Sequence, residues 1–365
     1  MHGMVSYFIR RILLVPVTFV CITFLVYAVL RLTPGGPIEQ AILRMRLAAQ
    51  GEAGLGAAGL TGSELQLTEK ELESLRKYYH LDRSIPIGYL IWLGLWPQED
   101  GRFSGILQGD FGTSNELNEP VLQVIASKFP ISLYFGLIGY FATWAVCVPL
   151  GILKALKHRT ALDTITSVAV FFGYAVPGFV ACLLLMVGVA AIPTPSGEPL
   201  LPLGDFRPPD WDARWAAGDF WYCITSQIRH TIIPVIGYLI GGFATMTILM
   251  KNSLLENLGA DYVRTAFAKG LTERRVIFLH ALRNSLIPIT AGIGHALGLL
   301  FAGSFLIEKT CNIHGMGLLG YTSLLARDYP VIMGILVFLV LIRLTGNIIS
   351  DLVWAAIDPR IRFGT

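Results

Sequence analysis

Charge is scarce in this sequence. Only 15% of its 365 residues are Asp, Glu, Lys or Arg, whereas 54% are hydrophobic; an ordinary soluble domain carries about 25% charge. With a mean hydropathy of +0.61, the chain is too apolar for an ordinary soluble domain, and a membrane protein is the default. The sequence has no G-x-x-x-x-G-K-[ST], so it binds no ATP through a P-loop. It has no H-E-x-x-H and no nucleophile with a base at a readable spacing, which argues against intramembrane hydrolysis and against catalysis by this chain alone. Its five cysteines form no C-x-x-C and no Cys/His cluster of metal-ligand spacing, so no metal site is expected. Cys21, Cys147 and Cys182 lie in apolar runs. Cys223 and Cys311 lie in connections and would pair only in an oxidising compartment, but no disulfide framework surrounds them. Internal repeats are absent too.

What is present is a series of long apolar runs. A span needs roughly 20 apolar residues to cross about 30 Å of hydrocarbon. Six segments approach or exceed that: 12–30, 131–153, 165–192, 232–250, 286–307 and 331–349, the last continuing toward 357. The fold class is therefore all-α, a polytopic membrane protein with about six transmembrane helices. Arg10 and Arg11 precede the first run as in a secretory signal, but the run is too long for an h-region and its exit "VLRLTPGG" lacks an A-x-A site. It reads as an uncleaved anchor over 1–30. If the N-terminus is cytoplasmic, the inside segments hold 13 Lys and Arg in 64 residues and the outside segments 14 in 163. This density difference puts both termini inside. It also accounts for the net charge of +3 without any nucleic-acid partner. The bilayer is the partner that composition demands.

The segment 31–130 is then external. "TPGGP" at 33–37 ends the first helix, and 48–63 is a small-residue, low-complexity stretch expected to be flexible. Thr68 and Glu71 have capping-box spacing, with Leu72, Leu75 and Tyr79 on one helical face. Tyr89, Trp92 and Trp96 suit the headgroup layer. The second external connection, 191–230, mixes Pro with Trp and Phe. Docking to an external partner and pinning to the interface by its tryptophans both fit it.

Few ionisable residues fall within the runs, and each is a functional candidate. His295 is in the fifth. Arg343, Asn347 and Asp351 are spaced four apart in the sixth and share a helical face that should meet protein or water. No mid-membrane carboxylate has a proton-relay partner, which disfavours a proton-coupled transporter. Small residues cluster where spans should meet. "GYAVPGF" runs from Gly173 through Pro177 and should break the third span. "IGGFATM" gives a flat face in the fourth, and Gly294 with Gly298 forms G-x-x-x-G in the fifth. These fit ordinary helix packing, or an interface with a second subunit around a passage.

The segment 261–288, "DYVRTAFAKGLTERRVIFLHALRNSLIP", threads apolar residues through one of the densest charge clusters of the chain. Asp261 is placed to cap a short helix with Tyr262, Val263, Ala266 and Phe267 on one face, stopped at Gly270. Thr272 and Glu273 favour a second start, with Val276, Ile277 and Leu279 as its apolar side. Helices this short need cover, either from anionic lipid or from a groove on a cytoplasmic protein.

This segment resembles the coupling loop, of the EAA type, of binding-protein-dependent ABC transporter permeases. A-x-A-K-G-L (266–271) and H-x-L-R-N (280–284) have the form found in the dipeptide/oligopeptide branch. Further matches are "FIRRILLVPVTFV", "PGGP", "GDFGTS" at 109–114, "GYAVPGF", "RDYPV" at 327–331 and "DPRIRF" at 358–363. Within that branch "TPGGPIEQAI", "MKNSLLE", "GLLGY" and "RDYPVIMG" are similar to the B-type subunits of Yej oligopeptide and microcin C systems. Arg264 stands where the broad family usually has the Glu of E-A-A, and the stretch from Gly270 to Pro288 exceeds the general spacing. The resemblance implies the type I importer permease fold, with a permease core at 131–357 holding five spans and the coupling loop 251–284, and a cytoplasmic tail at 358–365. It implies a homologous second permease subunit, cytoplasmic ABC ATPase domains that carry the ATP and Mg2+, and a periplasmic solute-binding protein. No cofactor is expected in this chain. Asp261, Tyr262, Arg264, Ala266, Phe267, Gly270, Arg274 and Arg275 would meet the ATPase. Gly173, Pro177, Gly294, Gly298, Arg343, Asn347 and Asp351 are candidates to line the passage or the subunit interface. A membrane scaffold or stand-alone channel without an ATPase is the alternative.

Overall fold

A computed structural model of the chain describes residues 2–33, 82–98, 100–194, 197, 199–290 and 303–357. Among these the secondary structure is helical, with one isolated bridge between Thr113 and Pro120. In chain order the helices are α1 (His2–Leu32), α2 (Ile85–Leu93), α3 (Val121–Leu156), α4 (Ala161–Ala175), α5 (Gly178–Ala190) and α6 (Trp211–Ala216). Then come α7 (Phe220–Leu258), α8 (Asp261–Ala268), α9 (Glu273–Arg275), a π-helical stretch Val276–Ala281, and α10 (Leu282–Ser285). The remainder are α11 (Ile287–Thr290), α12 (Phe305–Thr310), α13 (Met316–Ala326) and α14 (Tyr329–Ile357).

Four helices have stretches long and apolar enough to cross a membrane: Tyr7–Leu32, Val121–Leu156, Phe220–Leu258 and Tyr329–Leu352. Each contains one of the predicted runs. The third run, 165–192, is not one rod: α4 and α5 meet at an angle of 98°. The cause is local. A residue before proline is pushed out of the helical region, and Val176 is extended at φ −95, ψ 116, with Pro177 extended after it. The expected break in "GYAVPGF" is therefore present as a sharp bend. α3 and α7 have 36 and 39 residues. At 1.5 Å per residue both are over 50 Å long, roughly, well beyond the hydrocarbon thickness. Much of the fifth run, with Gly294, His295 and Gly298, lies outside the described residues, as do the low-complexity stretch 48–63, the 68–79 helix and the 358–365 tail.

The chain divides into two compact units. One draws on the described parts of 15–125 and 322–338. In it Tyr89 is buried against α1. Its hydroxyl is 2.8 Å from Thr23 Oγ1 on α1, and its ring packs edge-on to Phe24 and Tyr27. Arg31 caps this cluster by donating to Arg83 O at 2.6 Å. The same unit brings the "GDFGTS" and "RDYPV" segments together: Asp328, 1% exposed, accepts from Ser114 Oγ at 2.5 Å and from the Asn115 and Glu116 amides at 3.1 and 3.4 Å.

The other unit draws on the described parts of 1–14, 126–321 and 339–365 and holds two apolar clusters. Phe135, Cys182, Ile233, Ile307, Cys311 and Ile313 form one. Ala155, Met250, Leu254, Val263, Ala266, Val276, Ala281 and Ile289 form the other, at the end of α7 from which the 261–288 loop departs.

Candidate functional site

The loop is built as two short helical rods on the end of α7. α8 begins at Asp261 after Ala260, which is extended and makes no side-chain cap. Asp261 is thus not the cap that its position suggested. It lies in the first helical turn, where its charge suits the helix N-terminus, and its Oδ1 is 3.6 Å from Arg264 Nη1. Gly270 ends the rod at φ +78, donating to Phe267 O at 2.9 Å. Thr272 is extended and precedes the second rod as expected. That rod runs without interruption from α9 through the π-helical stretch into α10. A π turn is wider than an α turn and is often found at functional positions.

The expected apolar faces divide in two. Val263 is 1% exposed and Ala266 is buried, both packed against Met250 and Leu254 of the same chain, while Tyr262 and Phe267 face out. In the second rod Val276 and Ile277 are buried, and Leu279 is exposed beside Phe278. The reason is register: an arc of four apolar residues on so short a helix is wider than the α7 surface beneath it. The loop therefore finds half of its cover within its own chain. Ser253 Oγ donates to Ser285 O at 2.9 Å and Ser285 Oγ returns to Ser253 O at 3.3 Å, fixing the second rod to α7. What stays open is apolar and predominantly basic: Tyr262, Phe267, Phe278, Leu279, Arg264, Arg274 and Arg275, with the exposed carboxylates of Asp261 and Glu273 among them. A Cβ at Gly270 would meet nothing within 4 Å. Such a surface suits a groove with acidic and apolar walls.

The passage candidates are less uniform. Pro177 lies at the α4–α5 bend and lines a cavity of ≈ 320 Å³ together with Gly178, Phe179, Gly237, Tyr238 and Ser304. Gly173 sits against Phe243, where an added Cβ would be 3.3 Å from Cδ1. The stripe on α14 splits. Asp351 is held by Arg11 in an ion pair and by the Tyr7 hydroxyl at 3.2 Å, so it ties α14 to the start of α1. Asn347 is half-buried and Arg343 is exposed on this chain. All five cysteines are free thiols. Cys223 donates to Trp211 O at 3.6 Å, whereas Cys311 packs in the cluster that holds Cys182, so the conceivable Cys223–Cys311 pair is not formed.

Two buried polar centres carry no motif that sequence reading could single out. In one, Asp163 on α4 is gripped by lysines from α3 and α7. In the other, Glu308 on α12 is 1% exposed, accepting from Ser132 Oγ at 3.0 Å and from the Leu318 amide at 2.7 Å. Burial pushes this carboxyl above the usual Glu range, against the donors around it. Glycine is required beside it: a Cβ at Gly303, also at φ +66, would lie 2.2 Å from Glu308 Oε1, and one at Gly315 2.7 Å. Glu308→Ala leaves the Ser132 hydroxyl and Leu318 amide without this acceptor. Loss of a buried acceptor costs ~1–3 kcal/mol, so thermal unfolding of the purified variant in detergent should show a drop of about 3 kcal/mol, with Glu308→Asp falling between.

Known proteins are similar to this chain along most of its length. Residues 147–363 match the model of the binding-protein-dependent transport system inner membrane component. The inner membrane ABC transporter permease protein YejB of Escherichia coli O157:H7 is 33% identical over 377 residues, covering 98% of this chain and 99% of that protein. The peptidoglycan transport system permease protein YejB of Agrobacterium fabrum is 32% identical, covering 98% of each chain. The dipeptide transport system permease protein DppB of Escherichia coli K12 is 30% identical, covering 98% of this chain and 99% of its own. With a family model over more than half its length and relatives of this similarity along nearly all of it, the chain belongs to the binding-protein-dependent family of ABC transporter permeases, as a multi-pass transmembrane component.

Proposed function

We propose that this chain is the non-catalytic half-permease of an ATP-driven importer in a bacterial inner membrane, and that its cargo is peptides or peptide-like solutes. It would pair with a homologous second permease subunit to enclose the passage. A periplasmic binding protein would deliver the solute, and cytoplasmic ATPase domains would carry the ATP and Mg2+. Both termini and the 251–284 loop would face the cytoplasm, in keeping with the density of basic residues. The cargo class is supported by the names of the relatives, which include dipeptide and oligopeptide permeases.

The observation that carries the coupling role is the two-faced loop. Val263, Ala266, Val276 and Ala281 fasten it to α7, while Tyr262, Phe267 and the arginines remain outward for another protein. Closure of the ATPases would push on these outward residues and move α7, changing access to a passage to which Gly173, Pro177, Gly294, Gly298, Arg343 and Asn347 are candidates to contribute.

Gly270→Asp tests this reading cleanly. Asp tolerates the left-handed region better than most residues, and open space surrounds the site, so the fold should lose only about 1–2 kcal/mol. Expected is an uptake rate at least about tenfold lower, with normal membrane content; the corresponding loss of binding, ~1.4 kcal/mol or more, is modest for an intruding carboxylate at an interface. Phe267→Ala should act in the same direction. Unchanged uptake, or a wild-type loop that captures no ATPase in a pull-down, would remove the basis of the proposal and favour a scaffold or channel.

A further inference from the structure

We propose that Asp163 is a latch through which α7 moves α4, so that displacement of the coupling loop reaches the bend at Val176–Pro177. This rests on the importer reading above. Three helix ends meet at Asp163: the last turn of α3 brings Lys154, the first turn of α4 brings Asp163 itself, and the late part of α7 brings Lys251.

The side chains are 2%, 8% and 15% exposed, respectively for Lys154, Asp163 and Lys251. Lys154 Nζ lies 3.2 Å from Asp163 Oδ1 and also donates to Asp163 O at 3.1 Å, Thr166 Oγ1 at 3.1 Å and Ser167 Oγ at 2.6 Å. Arg159 N donates to Asp163 Oδ2 at 3.2 Å, and His158 Nδ1 is also 3.2 Å from it. These bonds suffice to close the α3–α4 hairpin, and Lys154 neutralises the carboxylate.

Lys251 is therefore superfluous to the hairpin. It reaches across 88 positions of sequence and donates to both carboxylate oxygens at 2.8 Å. Among the described residues its ammonium has no other partner. A second cation on one buried carboxylate adds like-charge repulsion with Lys154 and a further desolvation cost, without any local bond that the first leaves unmade. What it adds is a directional link between α4 and α7. Apolar contact permits small sliding of packed helices, whereas a charge-assisted bond to two oxygens fixes their axial register.

The position of Lys251 on α7 gives that link its consequence. It stands next to Met250 and two residues before Ser253, and both neighbours hold the coupling loop: Met250 packs with Val263 and Ala266, and Ser253 bonds Ser285. The same turn of α7 thus grips the loop on one side and α4 on the other. α4 is a single 15-residue helix whose far end is the bend and its cavity. A shift of the loop is carried to that bend by α4 as a rod. Asp163 and Lys251 are positioning residues in this scheme and need touch no solute.

The test uses the assembled transporter in liposomes, with Cys21 replaced by Ser and spin labels placed on exposed positions. One pair, Thr164 and Asn252, reports the α4–α7 separation; a second pair, Asn252 and Ala268, reports movement of the coupling loop when ATP is added. In the Lys251→Met variant Lys154 and Asp163 remain as a neutral pair, so the hairpin is kept. Expected is loop movement in both proteins, with an α4–α7 separation that ATP leaves fixed in the wild type and changes by about 2 Å or more in Lys251→Met, the scale of helix shifts in switching proteins. Lys251→Arg, which also binds a carboxylate through two bonds, should restore the fixed separation. A fixed separation in Lys251→Met overturns the latch, as does a Lys251→Arg chain that behaves like Lys251→Met. A Lys251→Met chain that never reaches the membrane also overturns it, reducing the cluster to a folding element. No ATP-driven movement of the wild-type loop would instead sink the importer reading itself.

Discussion

Asp328→Ala is expected to release the 110–118 segment and lower stability by about 3 kcal/mol or more, since each buried donor that loses its acceptor costs ~1–3 kcal/mol. The carboxylate is nearly inaccessible and takes three donors from one turn: the Ser114 hydroxyl and the Asn115 and Glu116 amides. Ser114 Oγ in turn accepts from the Leu117 amide at 2.9 Å, so the loss propagates through the turn. Asp328→Asn keeps the shape but substitutes an amide donor for one acceptor oxygen, and should cost about 1–3 kcal/mol. Thermal unfolding in detergent would rank the two variants, and limited proteolysis would show new cleavage near the exposed Leu117. An Asp328→Ala midpoint within about 2 °C of wild type, with no new cleavage, would contradict this: in a unit of this size 1 kcal/mol alone shifts the midpoint by several degrees.

Asp328 also illustrates which features the sequence made legible. "GDFGTS" and "RDYPV" could each be picked out as a motif, but nothing in either says that the Asp of one is the acceptor for the turn in the other, more than 200 positions away. The spans were legible for a simpler reason: the thickness of a bilayer fixes the length of an apolar run, and four of the six predicted runs lie inside single long helices. The break in the third was legible because proline acts on its immediate neighbour; its 98° angle was not, since a break alone does not fix the direction in which α5 leaves, and both halves also pack on α7. In the 261–288 loop the stop at Gly270 and the restart at Thr272 followed local chemistry. The split between Val263 and Phe267 did not, because it depends on where the α7 surface ends. The centres at Asp163 and Glu308, and the partner of Asp351, were the least legible. Their partners are supplied by the tertiary fold, as with Arg11 and Asp351 at opposite ends of the chain, and a lone Lys or Glu carries no periodic signal.

Gly178→Val should be the most damaging change at the bend. A Cβ at Gly178 would lie 2.3 Å from the carbonyl oxygen of Gly237, and one at Gly237 2.4 Å from Cys182 Sγ and 3.1 Å from the Gly178 oxygen. Here α5 and α7 touch backbone to backbone, the close approach that small residues permit between membrane helices. No rotamer change can relieve a clash with a main-chain oxygen, so the helices must separate. Even Gly178→Ala should then lose about 1–3 kcal/mol, despite an intrinsic helix preference for Ala over Gly of ~1 kcal/mol in the opposite direction. Val, with two more methyl groups, should lose more than about 3 kcal/mol and abolish transport, because Gly178 and Gly237 both line the cavity at the bend. Gly173→Ala is the control. Its Cβ would be 3.3 Å from a Phe243 ring atom, and a side chain can turn aside where a backbone cannot. Unfolding midpoints for the three variants separate the explanations: if Gly178→Ala is as stable as wild type, the helices are not locked at this point and the bend owes its geometry to Pro177 alone. If Gly178→Ala is destabilised while Gly173→Ala is not, helix contact rather than helix propensity governs the site, and the cavity wall is set by the separation of α5 and α7.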